Sequence, residues 1–299
     1  MRVPQGLIQL FAPILILLVG AGLVHANDAE RFSRGLLWRI ELPGVAPSYI
    51  LGTIHLPDPR VSRPTERTLQ ALGRSNVLLT ELQLDAKGTE TAATTLMLPV
   101  GQSLKQIIGE ADFSTVAGLL AQRGVPPPVA DRLRPMAVVS LMVMPMGSSE
   151  KPLDLALWEA GAARRMRLSG LESVGEQLAS FDGIGASAQA EMLRELVKQH
   201  AKIPKLMEQL VALYLSEDTG RAAEVMVAGV PDMPANSELA RRMQRLVIDD
   251  RNDRMVARML PHLERGRAFV AVGAAHLPGP RGILLSLSRN GYRITNEPR

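Results

Sequence analysis

Short apolar runs of strand length fall at residues 36–42, 48–55, 76–82 and 268–273, each bounded by Gly, Pro or polar residues. Such runs read as buried strands. Pro43-Gly44-Val45-Ala46-Pro47 separates the first two and favours a turn, so they form a hairpin. A Pro-rich crossover at 56–64 leads into a helical stretch at 65–72, ahead of the third strand. From 87 to 161 the apolar period is helical, with Asp112 as an N-cap for 113–123 and a kink expected at Pro135 within 129–143. An extended run at 167–172 precedes Ser173-Val174-Gly175-Glu176, a capping box that opens a helix through Gln177. Helical patterns dominate 187–265, and after the strand at 268–273 come a loop at 277–282, a short helix to Arg289 and a closing strand at 291–294. The pattern predicts an α/β (α+β) fold, with a central mixed sheet built from N- and C-terminal strands. A long helical insertion, about 87–265, forms a lid on it.

Residues 1–26 stand apart from this pattern. A basic start at Arg2, an apolar run around Leu15-Ile16-Leu17-Leu18 and small residues at Val24-His25-Ala26 read as a signal peptide cut after Ala26. Residues 27–299 then form a single domain, periplasmic or secreted, that meets a membrane only if the leading segment is kept as an anchor. Loss of Arg2 lowers the formal charge from +4 to +3. Arginines at 241, 242, 245, 251, 254 and 258 are interleaved with acids such as Asp250 and Asp253, as on a solvated helix face. Aromatics are only 3% of the chain, too few to stack on bases, so nucleic acid is not an expected partner. With no cysteine, disulfides, thiolate zinc sites and a cysteine nucleophile are excluded, and an oxidising compartment is tolerated.

Among the histidines of the mature chain, His55, His200, His262 and His276, two share one pattern. Leu51-Gly52-Thr53-Ile54-His55-Leu56-Pro57 and Val272-Gly273-Ala274-Ala275-His276-Leu277-Pro278 each place Gly and then His at a strand's end. Both imidazoles are expected at the rim where open sheets bind ligands. Two carboxylates have similar places, Glu81 after the third strand and Glu172 after the run at 167–172. His55, His276 and Glu81 form a metal-ligand set: two neutral imidazoles and a carboxylate leave open positions on a divalent ion. Glu172 is then free to shuttle protons. His200 and His262 lie in polar helical context and read as surface residues. No His-Glu-x-x-His helix, Gly-x-Ser-x-Gly elbow or phosphate loop is present.

The motifs Tyr49–His55, Thr80-Glu81, Gly170-Leu171-Glu172 with Gln177, Arg251-Asn252 and Val272–Gly279, in this order, resemble those of the TraB/GumN family, relatives of the Tiki proteins. The resemblance runs from about residue 37 to 294. It implies a fold shared with haem-binding ChaN-like proteins and erythromycin-esterase-like hydrolases and, through the Tiki relatives, metal-dependent peptide-bond cleavage. It implies His55, Glu81 and His276 as metal ligands or catalytic groups, with Glu172 as a second acid. Arg251 and Asn252 become support or substrate contacts. Arg134-Pro135-Met136 is similar to a basic-Pro-Trp segment of the family, with Met in place of Trp, and adds Arg134 to the substrate contacts. The expectation is a cell-envelope hydrolase of peptides or small molecules that uses a divalent metal such as Mn, Co or Zn. The alternatives are a metal-independent esterase-like hydrolase and a non-catalytic binder of a peptide signal or of haem, for which Tyr49, Tyr214 and Tyr292 are the only tyrosines.

Overall fold

In the computed structural model, which describes residues 31–85, 90–91, 94–146, 150–228 and 237–297, the apolar runs become one six-stranded sheet. The signal-peptide segment and the expected start of the helical insertion at residue 87 lie outside the described residues. β1 (Leu37–Glu41) and β2 (Ser48–Thr53) form the expected hairpin. β3 (Val77–Leu82), β4 (Arg167–Glu172), β5 (Ala268–Gly273) and β6 (Arg293–Asn296) complete the order β4-β3-β5-β2-β1-β6. β4, β3, β5 and β2 are parallel, whereas β1 is antiparallel to both β2 and β6. Four strands therefore end at one edge, and each brings a candidate residue there.

The helices are α1 (Glu66–Gly73), α2 (Leu104–Ile108), α3 (Glu110–Ala121), α4 (Pro127–Ala130), α5 (Pro135–Val143) and α6 (Leu153–Ala163), all before β4. α7 (Val174–Asp182), α8 (Ala186–Lys198), α9 (Ile203–Leu215), α10 (Thr219–Ala228), α11 (Glu238–Met243) and α12 (Asp250–Leu263) follow it, with α13 (Ile283–Arg289) after β5. A π turn, Gln244–Asp249, joins α11 to α12. Ser173 opens α7 with both halves of the expected capping box. No helix among the described residues is long and apolar enough to cross a membrane.

The alternation of β-strand side chains gives the sheet two apolar faces. On one, Ile50, Leu79, Val270 and Val272 pack with Met255 and Met259 of α12 and with Ile283 and Leu287 of α13. On the other, Tyr49, Leu51, Leu78 and Phe269 meet Leu72 of α1, Leu157 of α6 and Tyr214 of α9. A third core, with Leu104, Leu120, Val138, Leu193 and Met243, is helical and takes in Leu82 from the end of β3.

The extended run expected at 167–172 joins the sheet as β4, from within the long helical stretch. Several local expectations are corrected. Pro135 does not kink a helix but starts one, because its fixed φ suits the first turn and its missing N–H has no partner to lose there. Asp112 lies inside the first turn of α3, which starts at Glu110 after Gly109 turns the chain with φ 92°. β6 begins two residues later than the pattern suggests, because Gly291 and Tyr292 complete the turn from α13.

Candidate functional site

β2 delivers His55 two residues past its end, and the ring is fixed from the α6 side. Asp154, in the first turn of α6, accepts from Thr53 Oγ1 at 2.8 Å and lies 2.6 Å from His55 Nδ1. β5 ends at Gly273, and a 3-10 turn, Ala274–His276, carries the second imidazole. His276 Nδ1 lies 2.6 Å from Asn252 Oδ1, while Asn252 Nδ2 donates to the Arg281 carbonyl at 2.9 Å. That second bond orients the amide, so its oxygen faces His276 and Nδ1 must be the protonated nitrogen. Both rings thus turn Nε2 inward.

Glu81 stands between them. Its Oε1 is 3.6 Å from His55 Nε2 and 3.9 Å from His276 Nε2, and accepts from the Gly273 N–H at 2.5 Å. Its Oε2 accepts from Arg251 Nη2 at 2.6 Å and from Gln177 Nε2 at 3.4 Å. Arg251, wholly buried, also donates to Glu172 Oε2 at 2.8 Å, and Arg254 holds Glu172 Oε1 at 2.7 Å. Arg258 reaches the Leu171 carbonyl and Glu176.

The glycines of both motifs are steric requirements. A Cβ on Gly52 would stand 2.8 Å from Leu277 Cδ1 and 3.0 Å from Ala274 Cα, so Gly52 lets the His276 turn lie on β2. A Cβ on Gly273 would enter the site itself, 3.1 Å from Glu81 Oε1 and from His55 Nε2. At Gly170 it would meet the Gln83 nitrogen at 2.5 Å, so that glycine seats β4 against β3.

Burial and charge drive the two imidazoles apart. Burial disfavours the His55 cation, but Asp154 and Glu81 more than offset it and raise its pKa to about 10. Burial lowers that of His276 to about 3; Glu81 opposes this, and the positive charges of Arg251 and His55 reinforce it. Burial alone would raise Glu81, yet Arg251, His276 and His55 hold it well below the ordinary carboxylate value.

Two imidazoles and a carboxylate are the donor types that hold a divalent metal ion. Both Nε2 atoms are buried with no protein partner, and each Nδ1 is tied to an oxygen acceptor, the support that metal-bound histidines use. A tetrahedral ion with bonds of ~2.1 Å separates its ligand atoms by roughly 3.4 Å. The observed separations of 3.6 and 3.9 Å are a few tenths wider. Accordingly, among the described residues no group of three or more His, Cys, Asp or Glu side chains is arranged to hold a metal ion.

The structure therefore brings His55, Glu81 and His276 to one point. Glu172 is joined to it only through Arg251, with both oxygens taken by arginines, a scaffold's position rather than a proton shuttle's. Arg251 and Asn252 lie beneath the site, buried, as supports and not as surfaces that a substrate meets. The arginine face expected to be solvated is in part this buried network. Arg134 is engaged elsewhere, donating to Asp182 at the end of α7 at 2.8 Å. His200 is exposed and bonded to the Val197 carbonyl, whereas His262 is half-buried, deeper than a surface reading implies. Asp154 belongs to no motif; its one signal is an acid in the first turn of a helix that follows Pro152.

The sequence profile of the TraB/PrgY/gumN family matches residues 36–296. The chain belongs to that family. It is 26% identical to Metalloprotease TIKI1 of Homo sapiens over 88% of this chain and 62% of that protein. TIKI1 of Danio rerio is 25% identical over 92% of this chain and 65% of its own length. Metalloprotease TIKI2 of Danio rerio is 24% identical over 90% and 62%. This TraB/PrgY/gumN chain thus spans less than two thirds of the length of these curated relatives. The family match covers all six strands and every residue of the site.

Proposed function

We propose that the protein is a metal-dependent hydrolase of the cell envelope, peptidase-like, with His55, Glu81 and His276 holding the ion. The observation that carries this is the pair of buried, unpartnered Nε2 atoms on either side of Glu81 Oε1. The names of the TIKI metalloproteases support the reaction class. Two imidazoles and one carboxylate suit zinc, cobalt or manganese. When bound, the ion supplies Lewis acidity toward a substrate carbonyl and activates water. The chain's own residues prepare the place: Asp154 and Asn252 fix the tautomers, Arg251 and the Gly273 N–H hold Glu81 ionised, and the surrounding core excludes bulk water. The envelope location rests on the leading segment, and the expected mature chain begins at Asn27. The substrate is a peptide or small molecule, not nucleic acid.

The test pairs metal content of the purified protein with cleavage of a fluorogenic peptide pool. Wild type is expected to retain about one ion per chain, and His55→Ala and His276→Ala to lose it, with activity down about 100-fold or more. Variants that match wild type in metal and turnover would sink the proposal. A second reading, metal-independent hydrolysis, is favoured by the divergence of the histidines, which leaves neutral His276 as a base and His55 as an acid. Activity that survives chelation would select it. Peptide left intact after prolonged incubation with metal would select a binding protein, and a Soret band on reconstitution would point to haem.

A further inference from the structure

Gln177 is fully buried on α7, and neither the metal set nor the arginine network uses its carbonyl. Its Nε2 faces Glu81 Oε2 at 3.4 Å. Exchanging amide nitrogen and oxygen would set two acceptors against each other, so the carbonyl points away from that oxygen. There, Gln177 Oε1 is buried with no donor from the protein. Of the six buried side-chain nitrogens and oxygens without a partner among the described residues, three belong to residues grouped around Glu81: His55 Nε2, His276 Nε2 and Gln177 Oε1. Gln177 Oε1 and the neutral His276 Nε2 present lone pairs, and His55 Nε2 does so once its ring gives up its second proton. The other three, on Arg39, Arg134 and His262, have no such common neighbour.

A buried acceptor left unmet is destabilising, and native sites that keep one do so for a ligand or an ordered water. The two imidazole nitrogens, once neutral, ask for a cation, whereas the buried carbonyl of a side chain bonded to Glu81 asks for an O–H or N–H donor. Water answers as the O–H donor, and it is also the nucleophile of hydrolysis. We propose that Gln177 is a further catalytic residue: its Oε1 accepts a hydrogen bond from the hydrolytic water and orients it beside the His55–Glu81–His276 centre. This rests on the hydrolase reading above and adds to it the residue that aims the nucleophile. Nothing here moves a proton to Gln177, which stays neutral throughout.

The proposal separates from a structural role by opposite signs. In Gln177→Met, near-isosteric and without an acceptor, the metal-free protein is expected to melt at the same or a higher temperature than wild type, because an unmet buried carbonyl has been removed. Its kcat on the peptide pool is expected to fall roughly 10- to 100-fold, with KM and metal affinity within about twofold of wild type. A lower melting temperature with kcat retained would make Gln177 a strut for Glu81 and overturn the proposal. Should that variant not fold, a crystal structure of wild type decides: an ordered water within about 3.2 Å of Oε1 is expected. A protein donor there, or a dry carbonyl, overturns it whatever the activity. Wild type that retains metal and cleaves peptide while Gln177→Met matches it in kcat refutes this inference alone. Wild type that does neither refutes the hydrolase reading, and this inference with it.

Discussion

Gly273 has φ −53° and ψ 135°, which any residue adopts, so its lack of a side chain is a matter of space and not of backbone conformation. A methyl group would stand 3.1 Å from the two atoms that define the centre of the site. Gly273→Ala is therefore expected to keep the far-UV circular dichroism of wild type while losing most metal retention, measured by competition with a chromogenic chelator. Retention equal to wild type would show that the three side chains converge elsewhere. At this scale the site was partly legible. Gly52 and Gly273 stand three residues before His55 and His276, and that repeat marks both strand ends without any knowledge of the fold. Asp154 had no such mark, since its partner His55 lies 99 residues away and only the packing of α6 on the sheet joins them.

At the scale of the element, α12 sets the geometry more than any strand does. Within its first turns Arg251 ties Glu81 to Glu172, Asn252 orients His276, and Arg254 and Arg258 hold Glu172 and Glu176. Arg251→Met would leave two buried carboxylates facing each other, and removal of one partner from a buried ion network costs about 3–5 kcal/mol. Chemical denaturation is expected to show a loss of that size, partly recovered when Glu172→Gln is added. A loss below about 1 kcal/mol, as at exposed pairs, would contradict it. The sequence marks the whole of 187–265 as helical, α12 included, and misjudges the charges of α12. An arginine with acidic neighbours at helical spacing reads as solvated whether it faces water or two glutamates from distant strands. Pro135 was misread for a related reason, because a helix start and a kink differ only in what precedes the proline, and Arg134 is extended there. The strands themselves were legible because their apolar runs are short, dense and bounded by turn residues.

For the whole molecule, the unequal histidines make metal-free stability depend on pH in a defined way. His55, raised from 6.5 to about 10, contributes stability that is complete below 6.5 and lost as pH rises toward 10. His276, lowered from 6.5 to about 3, contributes stability present above 6.5 and lost as pH falls toward 3. Glu81, depressed, adds a further loss below its ordinary 4.5. The chelated protein is expected to melt highest near pH 6.5, with limbs falling on both sides. Metal should flatten the alkaline limb, since bound imidazoles carry no second proton to lose. A chelated melting profile that is flat between about pH 6.5 and 10 would show that His55 is not held as a cation.

The π turn at Gln244–Asp249 bears on the same assembly. Met243, Val247 and Ile248 belong to the helical core, whereas Met255, Val256, Met259 and Leu263 belong to the core beneath the sheet. One continuous rod serves two interiors whose apolar stripes need not be in phase. An α-helix advances about 100° per residue, and a π turn, bonded one residue further along, advances less. The wide turn is thus a phase adaptor: it lets each half of the rod dock at its own azimuth. Arg251 and Asn252, two and three residues past it, take their bearing from the half that grips the sheet. A one-residue change of length upstream can be absorbed before it reaches them, while the same change downstream would rotate the apolar stripe that seats them.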